Sequence, residues 1–289
     1  MDDASFSRHG CVEVPHHITS IWVPYIRADY LRSGSRGLGL IVSPRLKACW
    51  FKRRIVPPYQ PIDELDFVEN RISTDSLIGI KTTLPPGYGY AVSAATFISY
   101  YLLSGFLAGS RSYLGSLDEA HMAEIGVKTG LGDVLAISYG KGVAFRVKEG
   151  SPSKGTVENF KTPQSIEVIS IYKERMHTNK LLSMYNSKTR RLAIKLLKKF
   201  DMNPGFECFL EVSEEFTFKA GMHSFPRNEL CFLRKIPGVI GVYAKKSVSV
   251  LFIEKDKLLD AVYQLREASS STRILRLEPD YNGIIFIGI

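Results

Sequence analysis

LPPGYGYAVSAATFISYYLLS, residues 84–104, is the stretch whose reading decides the fold. The Pro85–Pro86 pair stops what precedes it, because proline lacks an N–H and restricts the residue before it. Gly87 and Gly89 then alternate with Tyr88 and Tyr90. Glycine reaches φ > 0 and has no Cβ to hold a ligand away. Ala91, Val92, Ser93, Ala94 and Ala95 follow, and a helix is expected over 93–108. A turn of backbone N–H groups feeding a helix N-terminus makes an anion site. The same pattern also suits a plain tight turn before a buried helix. A second polar, Gly-rich stretch downstream shifts the balance toward a site.

The 289 residues can bury one large core or two joined lobes, and 45% hydrophobic with 23% charged is an ordinary soluble composition. No polar-free run reaches spanning length. The nearest, 91–108, carries Ser93, Ser99 and Ser104 and reads as a buried helix, so no membrane partner is expected. The first 20 residues show no signal-peptide pattern. Cys11, Cys49, Cys208 and Cys231 lack CxxC spacing, so neither a zinc site nor a disulfide framework is expected. The expected compartment is the cytoplasm. A net charge of +9 suits nucleic acid or anionic small substrates. Its densest block, 188–199 (KTRRLAIKLLKK), reads as the solvated face of an amphipathic helix. No RNP pattern or zinc finger accompanies it, so no nucleic-acid partner is expected.

Along the chain, 11–22 begins as a strand that Pro15 ends, with His16, His17, Thr19 and Ser20 in a loop. A Gly/Ser-rich loop is expected over 30–40. A β-rich stretch over 40–55 has a turn at Pro44–Arg45, ends at Pro57–Pro58, and leads through a polar connection (63–72) to a strand over 77–83. Helices are expected over 93–108 and 116–126. TGLGD (129–133) reads as a loop leading into 134–137, and strands follow near 143–147 and 165–171. The second half reads as helices over 175–185, 188–200 and 206–220, strands over 239–243, 248–253, 272–278 and 284–289, and a helix over 257–268. The fold class is α+β, with an N-terminal lobe of 1–165 and a C-terminal lobe of 166–289.

Four segments are unusually small, polar or Gly-rich for plain scaffold: PHHITS (15–20), SGSRGLG (33–39), PPGYGYAVSAA (85–95) and AHMAEIGVKTGLGD (120–133). Glu124 lies on a helix and Asp133 at the end of a Gly-flanked loop. A carboxylate and a serine hydroxyl hold Mg²⁺, and a second carboxylate orients or deprotonates an alcohol. Those parts, with an anion-binding turn, are the minimum for phosphoryl transfer. A Walker A motif and the protein-kinase HRD and DFG set are absent.

PPGYGYAVSAA resembles the second motif of the GHMP kinases, usually Pro-x-x-Gly-Leu-Gly-Ser-Ser-Ala-Ala. With PHHITSIW, SGSRGLGL, AHMAEIG and TGLGDVLA, the chain over about 10–150 most resembles the archaeal pantoate kinase family. The resemblance implies the two-lobe GHMP kinase fold, with an N-terminal lobe like ribosomal protein S5 domain 2. It implies ATP and Mg²⁺, with the phosphates over Pro86, Gly87, Tyr88, Gly89, Tyr90, Ala91, Ser93 and Ala94. Ser93 and Glu124 match the metal partners and Asp133 the catalytic position. His16, His17, Thr19, Ser35 and Arg36 fall where the acceptor site is shaped. The implied reaction phosphorylates (R)-pantoate on the way to coenzyme A.

The chain departs from that motif at Ala91, where a third glycine is usual, and at Val92, where a serine is usual. Ala91 is tolerated in a nest if its φ is negative. Over 238–252 (GVIGVYAKKSVSVLF), Lys245 and Lys246 stand where the third motif has small residues. They either meet phosphate charge or form a solvated turn. Another small alcohol (homoserine or a mevalonate-like acceptor) and a non-catalytic nucleotide-binding paralogue remain open, as does a homodimer.

Overall fold

The computed structural model describes residues 10–52, 76–176, 181, 183–268 and 273–288. The expectations at Pro57–Pro58 and 63–72, and part of the helix expected over 175–185, lie outside the described residues.

Two long strands dominate the first half. β1 (Cys11–Tyr25) and β2 (Gly34–Lys52) form an antiparallel pair that register irregularities after Val14 and Thr19 bend. Two expected loops are thereby corrected. Pro15 does not end β1, and Ser35 and Arg36 are strand residues; only Tyr30–Arg32 forms a short 3₁₀ turn. The expected turn at Pro44–Arg45 is also strand, with a cis Ser43–Pro44 bond. The physical reason is space. A methyl on Gly39 would overlap the His17 imidazole, and one on Gly37 would meet the Ile21 carbonyl and the Arg146 guanidinium. These glycines clear room on the strand for large polar side chains, so their presence does not signal a loop.

Cys11 pairs with Cys49 in the β1–β2 register and forms a disulfide with it, against expectation. Their spacing of 38 residues reveals nothing locally; only the strand pairing brings them together.

β3 (Ser76–Lys81) and β4 (Val143–Lys148) both pair with β2, and β5 (Thr156–Phe160) pairs with β4. Three helices pack beside this sheet. α1 (Val92–Tyr101) continues as a π-helical turn over Leu102–Leu107. α2 spans Tyr113–Gly126, its N–H at Gly115 capped by Ser112. α3 spans Asp133–Tyr139, so Asp133 opens a helix directly after TGLG. α1 buries nine of its ten residues, Ser93 excepted, which its small and apolar composition permits.

The second half builds β6 (Ile166–Tyr172), α4 (Ser187–Met202), α5 (Phe206–Ala220), α6 (Arg227–Lys235), β7 (Val239–Lys245), β8 (Val248–Glu254), α7 (Leu258–Ala268), β9 (Arg273–Pro279) and β10 (Ile285–Ile287). Strand order runs β10-β1-β2-β9-β6-β8-β7, so β9 joins the two halves and β10 returns to β1. α4 buries Ala193, Leu196, Leu197 and Phe200 beneath its basic face. Buried polar contacts tie the second half to β1: Tyr243 Oη donates to the Ile18 carbonyl at 2.9 Å, and Ser213 Oγ to Ser20 Oγ at 2.8 Å. Each such bond contributes about 1 kcal/mol net, and breaking one leaves a buried group unsatisfied at a higher cost. Among the described residues no helix is long and apolar enough to cross a membrane.

Candidate active site

Strand alternation sorts the adjacent histidines of β1. His17 and Thr19 face α3; His16 faces the other way, with Nε2 3.3 Å from Thr82 Oγ1. Asp133, the first residue of α3, lies where the helix N-terminus favours a carboxylate. Its Oδ1 is 2.6 Å from His17 Nδ1 and accepts from Thr19 Oγ1 at 3.1 Å. Arg146 Nη1 lies 3.2 Å from the other ring nitrogen, Nε2, and its Nε donates to the Ser35 carbonyl. A guanidinium only donates, so Nε2 accepts, the proton sits on Nδ1, and Nδ1–H donates to Asp133. The chain Arg146, His17, Asp133 is thereby polarised toward the carboxylate.

The charge states agree. Burial pushes His17 down to about 4, outweighing the pull of Asp133, so the imidazole is neutral. Burial alone would raise the Asp133 carboxyl. Lys245, the His17 hydrogen bond and Arg146 together hold it well below the usual carboxylate range. The side chain is 14% exposed, so this ionised carboxylate is open at one edge.

Glu124, on α2, is fully buried. The Val134 N–H approaches it without completing a hydrogen bond, so both carboxyl oxygens lack a partner among the described residues. Burial first, then repulsion from Asp133, raises its carboxyl to about 8. Gly130 is bare beside it; a methyl there would overlap Glu124 Oε1. An orphaned buried carboxylate fits a bound cation. Among the described residues no three His, Cys, Asp or Glu side chains gather around a metal. A Mg²⁺ here would complete its shell with water and phosphate oxygens, as Mg²⁺ commonly does.

The 87–91 turn has positive φ at Gly87 (86°), Gly89 (124°) and Ala91 (55°). Ala91 is therefore left-handed, so the condition stated for tolerating its methyl, a negative φ, is not met. It is also the N-cap of α1, so Ser93 is the second helical residue and not the cap. Tyr90 is buried with its hydroxyl 2.9 Å from Ser170 Oγ, and Tyr88 stacks edge-on against Tyr172 at 4.9 Å. These two side chains hold the turn in place, and the Arg175 guanidinium lies close over Gly87. The β7–β8 hairpin backs the turn: Ser247 N–H donates to the Tyr88 carbonyl at 3.2 Å.

The structure thus gathers His17, Thr19, Ser35 and Asp133. Glu124 stands within electrostatic reach of Asp133, and Lys245 acts on both carboxylates. Arg36 pairs with Val23 across the β1–β2 hairpin and lies in the field of Glu149 rather than in the Asp133 cluster. One member escaped the sequence reading, and one of the two readings given for Lys245 is excluded. Arg146 reads locally as part of an ordinary strand; its one signal is a charge among apolar neighbours in VAFRVK, opposite bare Gly37. Lys245 is buried, not part of a solvated turn.

No protein-family model matches the chain. Over 165 residues, 51% of its length, the chain is 27% identical to the pantoate kinase of Thermococcus kodakarensis. The match spans about half of that relative, 54%. A structure described as a phosphotransferase related to the CoA biosynthesis pathway superposes with TM-score 0.80 at 19% identity, covering 96% of this chain and 98% of that one. Methanococcus jannaschii mevalonate kinase gives 0.66 at 13% identity, with 94% and 98% covered. Homoserine kinase from Cytophaga hutchinsonii gives 0.61 at 12%, with 97% and 98% covered. The fold is the two-lobe α+β fold of the GHMP kinases.

Proposed function

We propose that this chain is an ATP-dependent kinase for a small alcohol, and that the alcohol is pantoate: ATP and (R)-pantoate give ADP and 4-phosphopantoate. The observation that carries the reading is Asp133, an ionised carboxylate held by His17 and Thr19 at a helix N-terminus. The partial likeness to a pantoate kinase supports the choice of acceptor.

When bound, ATP with Mg²⁺ supplies the transferable phosphoryl group and neutralises charge on it. Within that reading the backbone N–H groups of 87–91 and the α1 N-terminus hold phosphate oxygens. Ser93 and Glu124 would hold the cation. Asp133 accepts, or orients, the proton of the attacking hydroxyl. His17 stays neutral and keeps one lone pair of Asp133 occupied, which aims the other oxygen at the acceptor. His16 supports the turn from below through its contacts with Thr82 and the Tyr90 backbone.

The test is an ADP-release screen of the purified protein with ATP, Mg²⁺ and pantoate, homoserine or mevalonate. Turnover with pantoate alone upholds the reading. Turnover with another acceptor keeps the kinase and changes the substrate. Magnesium-nucleotide binding by calorimetry without turnover on any acceptor favours a non-catalytic relative, a reading that Val92 motivates by removing a hydroxyl from the turn.

A further inference from the structure

Lys245 ends β7 and is 9% exposed, a depth at which a lysine normally has a paired anion. Its Nζ lies 5.5 Å from the Trp22 ring centroid, with the side chain laid toward the indole face. Among the described residues it has no hydrogen-bond acceptor and no carboxylate within ion-pair distance. Its charge is nonetheless felt at Asp133, Glu124, Arg146 and His17. The three ammonium donors lie beside the site without a protein acceptor among the described residues.

The placement is rigid. The Lys245 carbonyl is 3.1 Å from the point a Cβ on Gly89 would occupy, so the lysine backbone lies directly against the glycine turn. Lys246 N–H donates to the Met222 carbonyl at 3.1 Å, and Ser224 N–H to the Lys246 carbonyl at 2.7 Å. The hairpin end is therefore pinned on one side to the turn and on the other to the segment after α5. Nearby, Arg146 spends donors on Ser35 and His17, and Asp133 is engaged by His17 and Thr19. The Lys245 ammonium has donors to spare, and the Lys245 backbone adjoins the Gly89 end of the turn, whose Gly87 end lies beneath the Arg175 guanidinium.

We propose that Lys245 is a phosphate-binding residue of this site: its backbone lies against Gly89, its ammonium lies over Trp22, and that ammonium contacts the polyphosphate chain of the ligand that the 87–91 turn receives. A side-chain cation at the end of β7 then adds to what the backbone of the turn and the Arg175 guanidinium over Gly87 supply. A second role follows from position: a cation at this point reduces the repulsion between the Asp133 carboxylate and an incoming phosphate. The proposal rests on the phosphoryl-transfer reading for its biological ligand. Its core claim concerns a polyphosphate anion and is tested separately.

Inorganic tripolyphosphate is the probe. The chain has two tryptophans, so in a Trp50→Phe background the emission reports Trp22 alone, 5.5 Å from the ammonium. Titration should change that emission saturably. Lys245→Met should weaken tripolyphosphate binding by about tenfold or more, and Lys245→Arg should stay within about threefold, as expected for a charge-assisted hydrogen bond. In turnover assays Lys245→Met should raise KM for ATP and lower kcat while leaving KM for the acceptor alcohol unchanged. If the Met variant fails to fold by circular dichroism, Lys245→Gln carries the same comparison. No tripolyphosphate binding by the wild type overturns the proposal. So does unchanged affinity in the neutral variant, or a loss confined to acceptor KM, which would make Lys245 an acceptor-carboxylate contact. Lys245-dependent tripolyphosphate binding without turnover on any alcohol upholds the anion site and refutes the kinase reading alone.

Discussion

His17 Nδ1 lies 2.6 Å from Asp133 Oδ1, a contact made across 116 residues between the middle of a strand and the first residue of a helix. It links the charge state of the candidate base to a histidine that itself does not titrate near neutrality. Removing the imidazole therefore does more than open space. His17→Ala should let the Asp133 carboxyl rise toward its ordinary value, because one of the interactions holding it down is gone. Asp133 works as an acceptor only when ionised, so the acid limb of kcat/KM moves to higher pH. His17→Asn, which can keep an amide donor near the Nδ1 position, should restore part of the shift. A pH–rate profile of the three proteins checks this; an unmoved acid limb in His17→Ala removes His17 from any control of Asp133.

Asp133→Asn keeps the shape and loses the acceptor. A general base contributes roughly 10²- to 10⁴-fold, so kcat should fall by about that much. Nucleotide affinity by calorimetry should stay within about threefold, since Asp133 does not form the turn. A variant with near-normal kcat would leave Asp133 only its part in the polar cluster.

Glu124→Gln should separate function from stability. The folded carboxyl is raised to about 8 from 4.5, so its protonated form is favoured on folding. That contribution is fully present below 4.5 and is lost as pH rises through 8. At neutral pH the penalty is about 3 kcal/mol, partly replaced in the variant by an imperfectly bonded amide. Metal-free Glu124→Gln should thus be more stable than wild type by about 1–2 kcal/mol at neutral pH, with little difference near pH 4.5. Turnover should fall sharply and need far more Mg²⁺. Urea unfolding in chelator at several pH values, with a Mg²⁺ titration of activity, measures both.

The residue types that single out candidates were legible in the sequence. Glu124, Asp133 and Ser93 stand out because acidic and hydroxyl residues beside Gly-rich turns are poor scaffold. The β1–β2 hairpin was not legible. His, Ser and Gly at 16–20 and 33–39 mimic a loop locally, and only pairing shows that each glycine faces a bulky polar partner. Cys11–Cys49 and Arg146 share that character. Each acquires its meaning from a residue far off in the chain, and residue-type patterns within a window carry no record of it.

Acid should unfold the protein early. Burial lowers His16 and His17 each to about 4 from 6.5, so the unfolded chain binds protons that the folded one refuses. The contribution of these two histidines is intact above 6.5 and declines as pH falls toward 4, by about 1.4 kcal/mol per pH unit for each and about 3 kcal/mol for each over the window, while Glu124 acts in the opposite sense between 8 and 4.5. His16→Asn should reduce the net slope by about 1.4 kcal/mol per pH unit without moving the acid limb of activity, because His16 lies on the face of β1 away from Asp133. Urea midpoints at pH 7 and pH 5 decide it; an unchanged slope would mean that His16 gains a proton partner on folding.

The last prediction concerns the turn itself. Ala91 holds φ 55° and ψ 37°, a left-handed conformation that costs a residue with a Cβ about 1–2 kcal/mol. Glycine would relieve that strain but would lose about 0.5–1 kcal/mol more backbone entropy on folding. The methyl is also partly packed against the core, so its removal forfeits some contact. Ala91→Gly should therefore be close to neutral or stabilising by no more than about 1 kcal/mol, whereas Ala91→Val, which fits a left-handed position badly, should destabilise by about 2 kcal/mol or more. Thermal melts measure the first effect and tripolyphosphate titration the second. If the strain is what aims the 89–92 amides, the glycine variant, free to leave φ > 0, binds tripolyphosphate more weakly despite its equal stability. Equal affinity would mean that the hairpin at Lys245–Ser247, and not residue 91, sets the shape of the turn.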